Sequence, residues 1–223
     1  MKNLIITIAT SALLFTSSAG FSQDYENHQE KEEQKKDTKF GIKGGVNFSN
    51  LKDKNADNRM RNGFNIGLFS KSYMSKGFSI QPEIYYTTKG GEANYKNDLV
   101  NGGAKFYFNY LEVPIIFMIN LTDNFNIHFG PYASYLLSAQ ISNKSSDSGF
   151  DFEHNLNISD FNRFDGGLAA GLGFDIGPLS LGARYNIGIT KVGKEREFLG
   201  NPYTFPDARN SVVNFYIAFV LSK

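Results

Sequence analysis

A chain of 223 residues supports one domain or two small ones, and 23 Lys+Arg against 22 Asp+Glu leave no basic excess of the kind a nucleic-acid binder carries. The absence of cysteine excludes a disulfide framework, Cys-based zinc or iron–sulfur sites, a thiol nucleophile and a lipidated N-terminal Cys, and the scattered His28, His128 and His154 offer little for metal ligation. The unusual counts are 22 Gly, 21 Phe and 12 Tyr beside 6 Pro and no Trp, a composition that points to an all-β chain and away from most enzyme classes.

Residues 1–22 read as a secretory signal peptide. Lys2 supplies the positive start, Leu4 to Phe15 the apolar stretch, and Gly20 and Ser22 the small residues that put cleavage before Gln23. An anchor is the alternative, but 12 apolar residues fall well short of the ~20 that span a bilayer as a helix. Residues 23–38 (QDYENHQEKEEQKKDT) are almost wholly polar and cannot bury enough apolar surface to fold, so a disordered leader is expected, as a spacer or a tether.

From residue 39 onward the dominant period is two. The alternating segments are 39–48, 63–71, 77–88, 105–119, 125–138, 163–176, 179–190 and 211–222. In each, bulky apolar residues occupy one phase: Phe40, Ile42 and Val46 in the first, Leu168, Leu172 and Phe174 in the sixth, Phe215, Ile217 and Phe219 in the last. The other phase is mostly Gly, Ala, Ser and Asn with a few charges. Only the end of the fourth segment is ambiguous, because Ile116 and its neighbours are apolar on both phases.

The connections decide the topology. Short turns near Ser72–Lys76, Asn120–Asn124 and Gly177–Pro178 alternate with long polar stretches at 49–62, 89–104, 139–162 and 191–210. Even strand number, short turns at one rim and long loops at the other predict an eight-stranded antiparallel up-and-down transmembrane β-barrel over 39–223, apolar outside and polar within. A soluble lipocalin-like barrel, apolar within, is the alternative fold. Outward tyrosines Tyr86, Tyr135 and Tyr185 fit an interfacial girdle.

The inward phase carries the candidate site: Lys43, Glu83, Glu112, Asp165, Asp175 and Arg184. Charges buried in a narrow lumen must pair, so a salt-bridge network filling the barrel is expected, with a charge-lined conduction path as the alternative. Gly167, Ala169, Gly171 and Gly173 of the GGLAAGLG stretch are expected to make room for large lumenal side chains such as Arg184 and Tyr216. His128 with a Ser and an Asp would be an acyl-transfer site only if geometry assembled a triad. Asp147, Asp151 and Glu153 lack EF-hand spacing and read as a solvated loop. No cofactor, metal or catalytic residue is expected.

The segments Phe40–Asn47 (FGIKGGVN), Tyr110–Ile115 (YLEVPI), Phe164–Phe174 (FDGGLAAGLGF) and Gly182–Gly188 (GARYNIG) resemble the PorT-like outer-membrane β-barrel family, within the porin-family outer membrane proteins. The resemblance covers 39–223. It implies an outer-membrane location and, since some members serve secretion and gliding machinery, a link to secretion; it implies no catalytic residues. The readings are a structural or interaction barrel, meeting outer-membrane lipid and a protein partner through its loops or leader, or a small-solute porin. No nucleic-acid partner is expected.

Overall fold

The computed structural model describes residues 38–52, 58–75, 77–97, 100–145, 152–155, 158, 161–198, 201–204 and 208–222. The signal segment 1–22 and leader residues 23–37 lie outside the described residues, and Thr38 already pairs as the first residue of a strand. Eight long strands make the fold: β1 (Thr38–Lys52), β2 (Arg61–Ser75), β3 (Phe78–Asn97), β4 (Val100–Asn120), β5 (Phe125–Ser145), β6 (Phe164–Ile176), β7 (Leu179–Lys191) and β8 (Arg209–Ser222). Each pairs antiparallel with its sequence neighbours, and β1 pairs with β8, so the sheet closes into a barrel.

The alternation read in the sequence becomes an inside and an outside. Phe164, Ile66 and Ile217 stand on the outer wall at 67%, 61% and 57% exposure, a degree of apolar exposure that excludes the lipocalin-like alternative. Lumenal positions one residue away are buried: Asp165, Asn65 and Tyr216. In β4, where both phases are apolar, Ile116 and Met118 face inward and pack with Tyr132 and Ala169. On β7 the outward apolar positions run from Leu179 to Ile189, about 33 Å of strand and about 25 Å of height at a ~40° tilt, the thickness of an apolar membrane band.

Short connections gather at one rim. The β6–β7 hairpin closes through Gly177–Pro178, where Gly177 has φ +60° and the proline ring fixes the next φ, the arrangement of a two-residue II′ turn. In the β4–β5 turn, Thr122 Oγ1 accepts from the backbone N–H groups of Asn124 (3.3 Å) and Phe125 (3.0 Å).

At the opposite rim all four of the expected loops contain strand. Residues 89–104 were expected as a loop; instead β3 and β4 run on as a hairpin until Asn97 pairs with Val100. The Lys89-Gly90-Gly91 sequence reads as a turn, yet Gly90, with φ 151°, passes the Phe106 carbonyl inside a continuous strand where a Cβ would collide. Likewise β5 continues to Ser145 and Phe152–Asn155 folds back against it, while Glu195–Phe198 pairs with Asn201–Thr204.

Candidate functional site: the charged lumen

In an eight-stranded barrel β3 lies diametrically opposite β7, and β2 opposite β6. Hydrogen bonds span the lumen between both pairs. Glu83 on β3 receives two bonds from the Arg184 guanidinium on β7, Nη1 to Oε2 at 2.7 Å and Nη2 to Oε1 at 2.9 Å. Lys43 Nζ reaches Oε1 of the same carboxylate at 2.9 Å and Gln81 Nε2 at 2.7 Å, so Glu83 accepts four donors, three at Oε1 and one at Oε2. Lys43 also stands 3.7 Å from the centroid of the Tyr216 ring. Glu83, Lys43 and Arg184 are at most 3% exposed.

A second cluster lies toward the long-connection rim. Glu112 pairs with Lys89 and accepts from Tyr85 (3.0 Å), Ser134 (2.7 Å) and Asn186 (3.1 Å). Lys89 lies 3.4 Å from Asp165, whose Oδ2 also accepts from Asn210 Nδ2 at 3.0 Å. Asn210 in turn donates across the lumen from β8 to Tyr110 on β4 at 3.4 Å. Near the short-turn rim Lys71 on β2 meets Asp175 on β6 at 2.8 Å, and Ser180 donates to the other Asp175 oxygen at 2.6 Å. Asp175 is the most accessible of the six candidate residues, with 22% of its side chain exposed.

Between these clusters an amide group ties three strands to β1. Asn47 donates to Thr87 and accepts from Asn65 and Asn214, each at 2.9 Å. Paired within the lumen are four cations (Lys43, Lys71, Lys89, Arg184) and four anions (Glu83, Glu112, Asp165, Asp175), so these charges cancel. Above the polar layers an apolar cluster fills the mouth. Leu51, Phe108, Leu136, Phe161, Val192 and Ala208 pack together, with the Phe108 and Phe161 rings edge to face at 5.3 Å. Phe161, Val192 and Ala208 come from stretches read as polar loops.

Two cations of these clusters, Lys89 and Lys71, were absent from the candidate residues. Lys89 was placed in a loop, although the inward series Glu83, Tyr85, Thr87 leads straight to it at period two. Lys71 closes a segment whose charge went unread. The glycines also serve other partners than expected: a Cβ on Gly171 would come within 2.6 Å of His128 Nε2, Gly173 would meet Asn126 and Gly167 the Tyr132 ring. Tyr216 lies over Gly182 instead.

His128 is buried between Asn126 and Arg184. Arg184 Nε donates to its Nε2 at 3.4 Å, leaving Nδ1 as the donor to Asn126 Oδ1 at 3.1 Å. An imidazole bounded by an amide and a guanidinium has neither the nucleophile nor the orienting carboxylate of a triad. Among the described residues no group of three His, Asp or Glu side chains is arranged for a metal. Asp147 and Asp151 lie outside the described residues, as does the Glu153 side chain. A cavity of about 820 Å³, lined by Gly44, Leu172, Ala183, Phe215 and Ile217, opens on the outer wall and not into the lumen.

Solved structures similar to this chain include Ail, the attachment invasion locus protein of Yersinia pestis, at 12% identity and TM-score 0.47, covering 82% of this chain and 98% of that one. Neisserial surface protein A matches at 14% identity and TM-score 0.43, covering 81% and 96%. The outer membrane protein OprG from Pseudomonas aeruginosa matches at 13% identity and TM-score 0.35, covering 83% and 94%. No curated protein matches the chain by sequence. The family model described as "Outer membrane protein beta-barrel domain" matches residues 21–193. The chain belongs to this family of outer-membrane β-barrels, and the family implies a place in the outer membrane.

Proposed function

We propose that the protein is a non-enzymatic outer-membrane barrel with a side-chain-filled lumen, acting through its surface in a structural or interaction role. The observation that carries this reading is the bidentate Glu83–Arg184 bond at 2.7 and 2.9 Å between strands on opposite sides of the barrel. A pore wide enough for solutes would hold those strands apart, and eight strands enclose a space that side chains can fill. The apolar cluster at the mouth adds a second barrier, since water and ions are poorly accommodated among Phe108, Phe161 and Leu136.

Export proceeds through cleavage of residues 1–22 before Gln23, and β1 begins at the short-turn rim, on the periplasmic side. The resemblance to PorT-like barrels supports a link to secretion machinery, with the leader or the long-rim connections contacting a protein partner. No nucleic acid enters this scheme. Planar-bilayer recording of the full mature protein is the test: no stable conductance steps are expected. A stable, cation-selective conductance would overturn the filled lumen in favour of a small-solute porin. Pull-down with and without residues 23–38 then asks whether the leader is the contact.

A further inference from the structure

Strand register aligns a row of cations on the outer wall at the long-connection rim. Lys52 at the end of β1 is the Cα partner of Arg209 at the start of β8, and Arg209 is the partner of Lys191 at the end of β7. Asn162 donates to the Lys191 carbonyl at 2.8 Å, which brings the segment before β6 alongside, and the next residue, Arg163, donates from Nη1 to Tyr135 Oη at 3.0 Å. All four side chains are exposed. Strands ~4.8 Å apart spread the four over about 15 Å of wall.

Among the described residues no carboxylate pairs with Lys52, Arg163 or Arg209. Elsewhere around the rim, Lys105 on β4 lies 3.5 Å from Glu92 on β3. The Arg61 guanidinium stacks 4.1 Å from the Tyr107 centroid and donates to the Lys89 carbonyl at 2.7 Å.

The height of the row supplies the other half of the inference. Just below it the wall turns apolar at Phe164 and Ile189, exposed at 67% and 60%. Tyr135, the Cα partner of Phe164, marks the boundary, and Arg163 donates to its hydroxyl at 3.0 Å. Lys52 Nζ reaches down to the hydroxyl of Tyr185, which stands below Ile187 and Ile189 on β7, at 2.8 Å. Aromatic hydroxyls at the edge of an apolar band sit at headgroup level. Cations at that level meet the phosphate layer of the leaflet, and guanidinium forks suit phosphate oxygens.

We propose that the β6–β7–β8–β1 sector binds the phosphate headgroup of a lipid in the adjoining leaflet. Lys52, Arg163 and Arg209 contact the phosphate oxygens, Lys191 adds to the field, and the acyl chains lie along Phe164, Ile187 and Ile189. The opposite sector, where Lys105 has its own carboxylate, does not select for lipid charge.

The test uses the full mature chain refolded into vesicles of phosphatidylcholine containing a minority of phosphatidic acid, with the lipids retained after detergent release counted by native mass spectrometry. The parent should retain phosphatidic acid in preference to phosphatidylcholine. The triple variant Lys52→Gln/Arg163→Gln/Arg209→Gln should lose that preference by about fivefold per cation, on the order of a hundredfold for three, while Lys105→Gln keeps it. Heat-modifiable migration confirms that each variant is folded. The three single variants, each expected to lose about fivefold, replace the triple if it fails to fold. Equal retention of both lipids by the parent, an unaltered preference in the variants, or an equal loss in Lys105→Gln would overturn the proposal. So would displacement of the lipid by excess inorganic phosphate, which would mark a site for free anions.

Discussion

Replacing Glu83 by Gln keeps the volume of the side chain and removes one charge from the middle of the barrel. Lys43 and Arg184 then face each other's neighbourhood with no carboxylate between them, both at most 3% exposed. Breaking one buried pair by removing a partner costs about 3–5 kcal/mol, and here two cations share the lost anion, so the upper end of that range is expected. Against a total stability of about 5–15 kcal/mol this is a large fraction. The control is Glu92→Gln: Glu92 meets Lys105 at 3.5 Å with side-chain exposures of 24% and 38%, a surface pair worth at most about 1 kcal/mol. Urea unfolding and refolding in lipid vesicles, followed by tyrosine fluorescence and heat-modifiable migration, measures both. A shifted midpoint at unchanged slope for Glu83→Gln, and nearly none for Glu92→Gln, is the expected pattern. A Glu83→Gln cost below about 1 kcal/mol would refute the reasoning, because it would show that Lys43 and Arg184 are hydrated where they stand.

Glu112→Ala should cost less than Glu83→Gln, since Lys89 keeps Asp165 at 3.4 Å; the same urea titration ranks the two. Leu172→Arg and Ile217→Arg, on the lipid face at 51% and 57% exposure, should each cost roughly 2–4 kcal/mol near the bilayer midplane, read as lost refolding yield and midpoint. Phe108→Ala should cost about 3–5 kcal/mol in refolding stability by opening a cavity in the mouth, yet leave planar-bilayer conductance absent because the charge layers beneath still close the lumen. Gly177→Ala should destabilise by about 1 kcal/mol through its φ of +60°, a change seen in the urea midpoint with no change in heat-modifiable migration.

The barrel was legible because lipid and lumen make opposite demands on alternate residues. Phe164 against Asp165, or Ile217 against Tyr216, records that difference at every step, and strand number and closure follow from counting such runs. The ends of the strands were less legible. Beyond the membrane both faces of a hairpin meet water, so the contrast that marks a strand fades, and Lys89-Gly90-Gly91 looks like a turn. The six inward charges could be named but not matched to one another. Which side chains meet across the lumen depends on the stagger of the strands, and stagger is set by the closed sheet, not by any local stretch. The mouth was hidden for a related reason: Phe161, Val192 and Ala208 are isolated apolar residues in polar surroundings, with no period to betray them.

The contacts that fill the lumen also couple it to closure. Lys71–Asp175, Glu83–Arg184 and Tyr110–Asn210 join residues 104, 101 and 100 positions apart. None can form in a hairpin or in a half-built sheet, because each needs strands from opposite sides of the completed circle. Until then Glu83 has to remain in water, where its charge costs nothing, whereas Glu112 already has Lys89 on the adjacent strand. Desolvating Glu83 is offset only when the cations of β1 and β7, Lys43 and Arg184, arrive together. The wall thus closes over charges that are already compensated, or it does not close, and an open barrel with a dry lumen is not an available state. The same coupling explains why the interior is polar at all. An apolar filling would not distinguish one register from its neighbours, whereas a slip between β3 and its partners would leave Glu83 without Arg184 and Glu112 without Lys89.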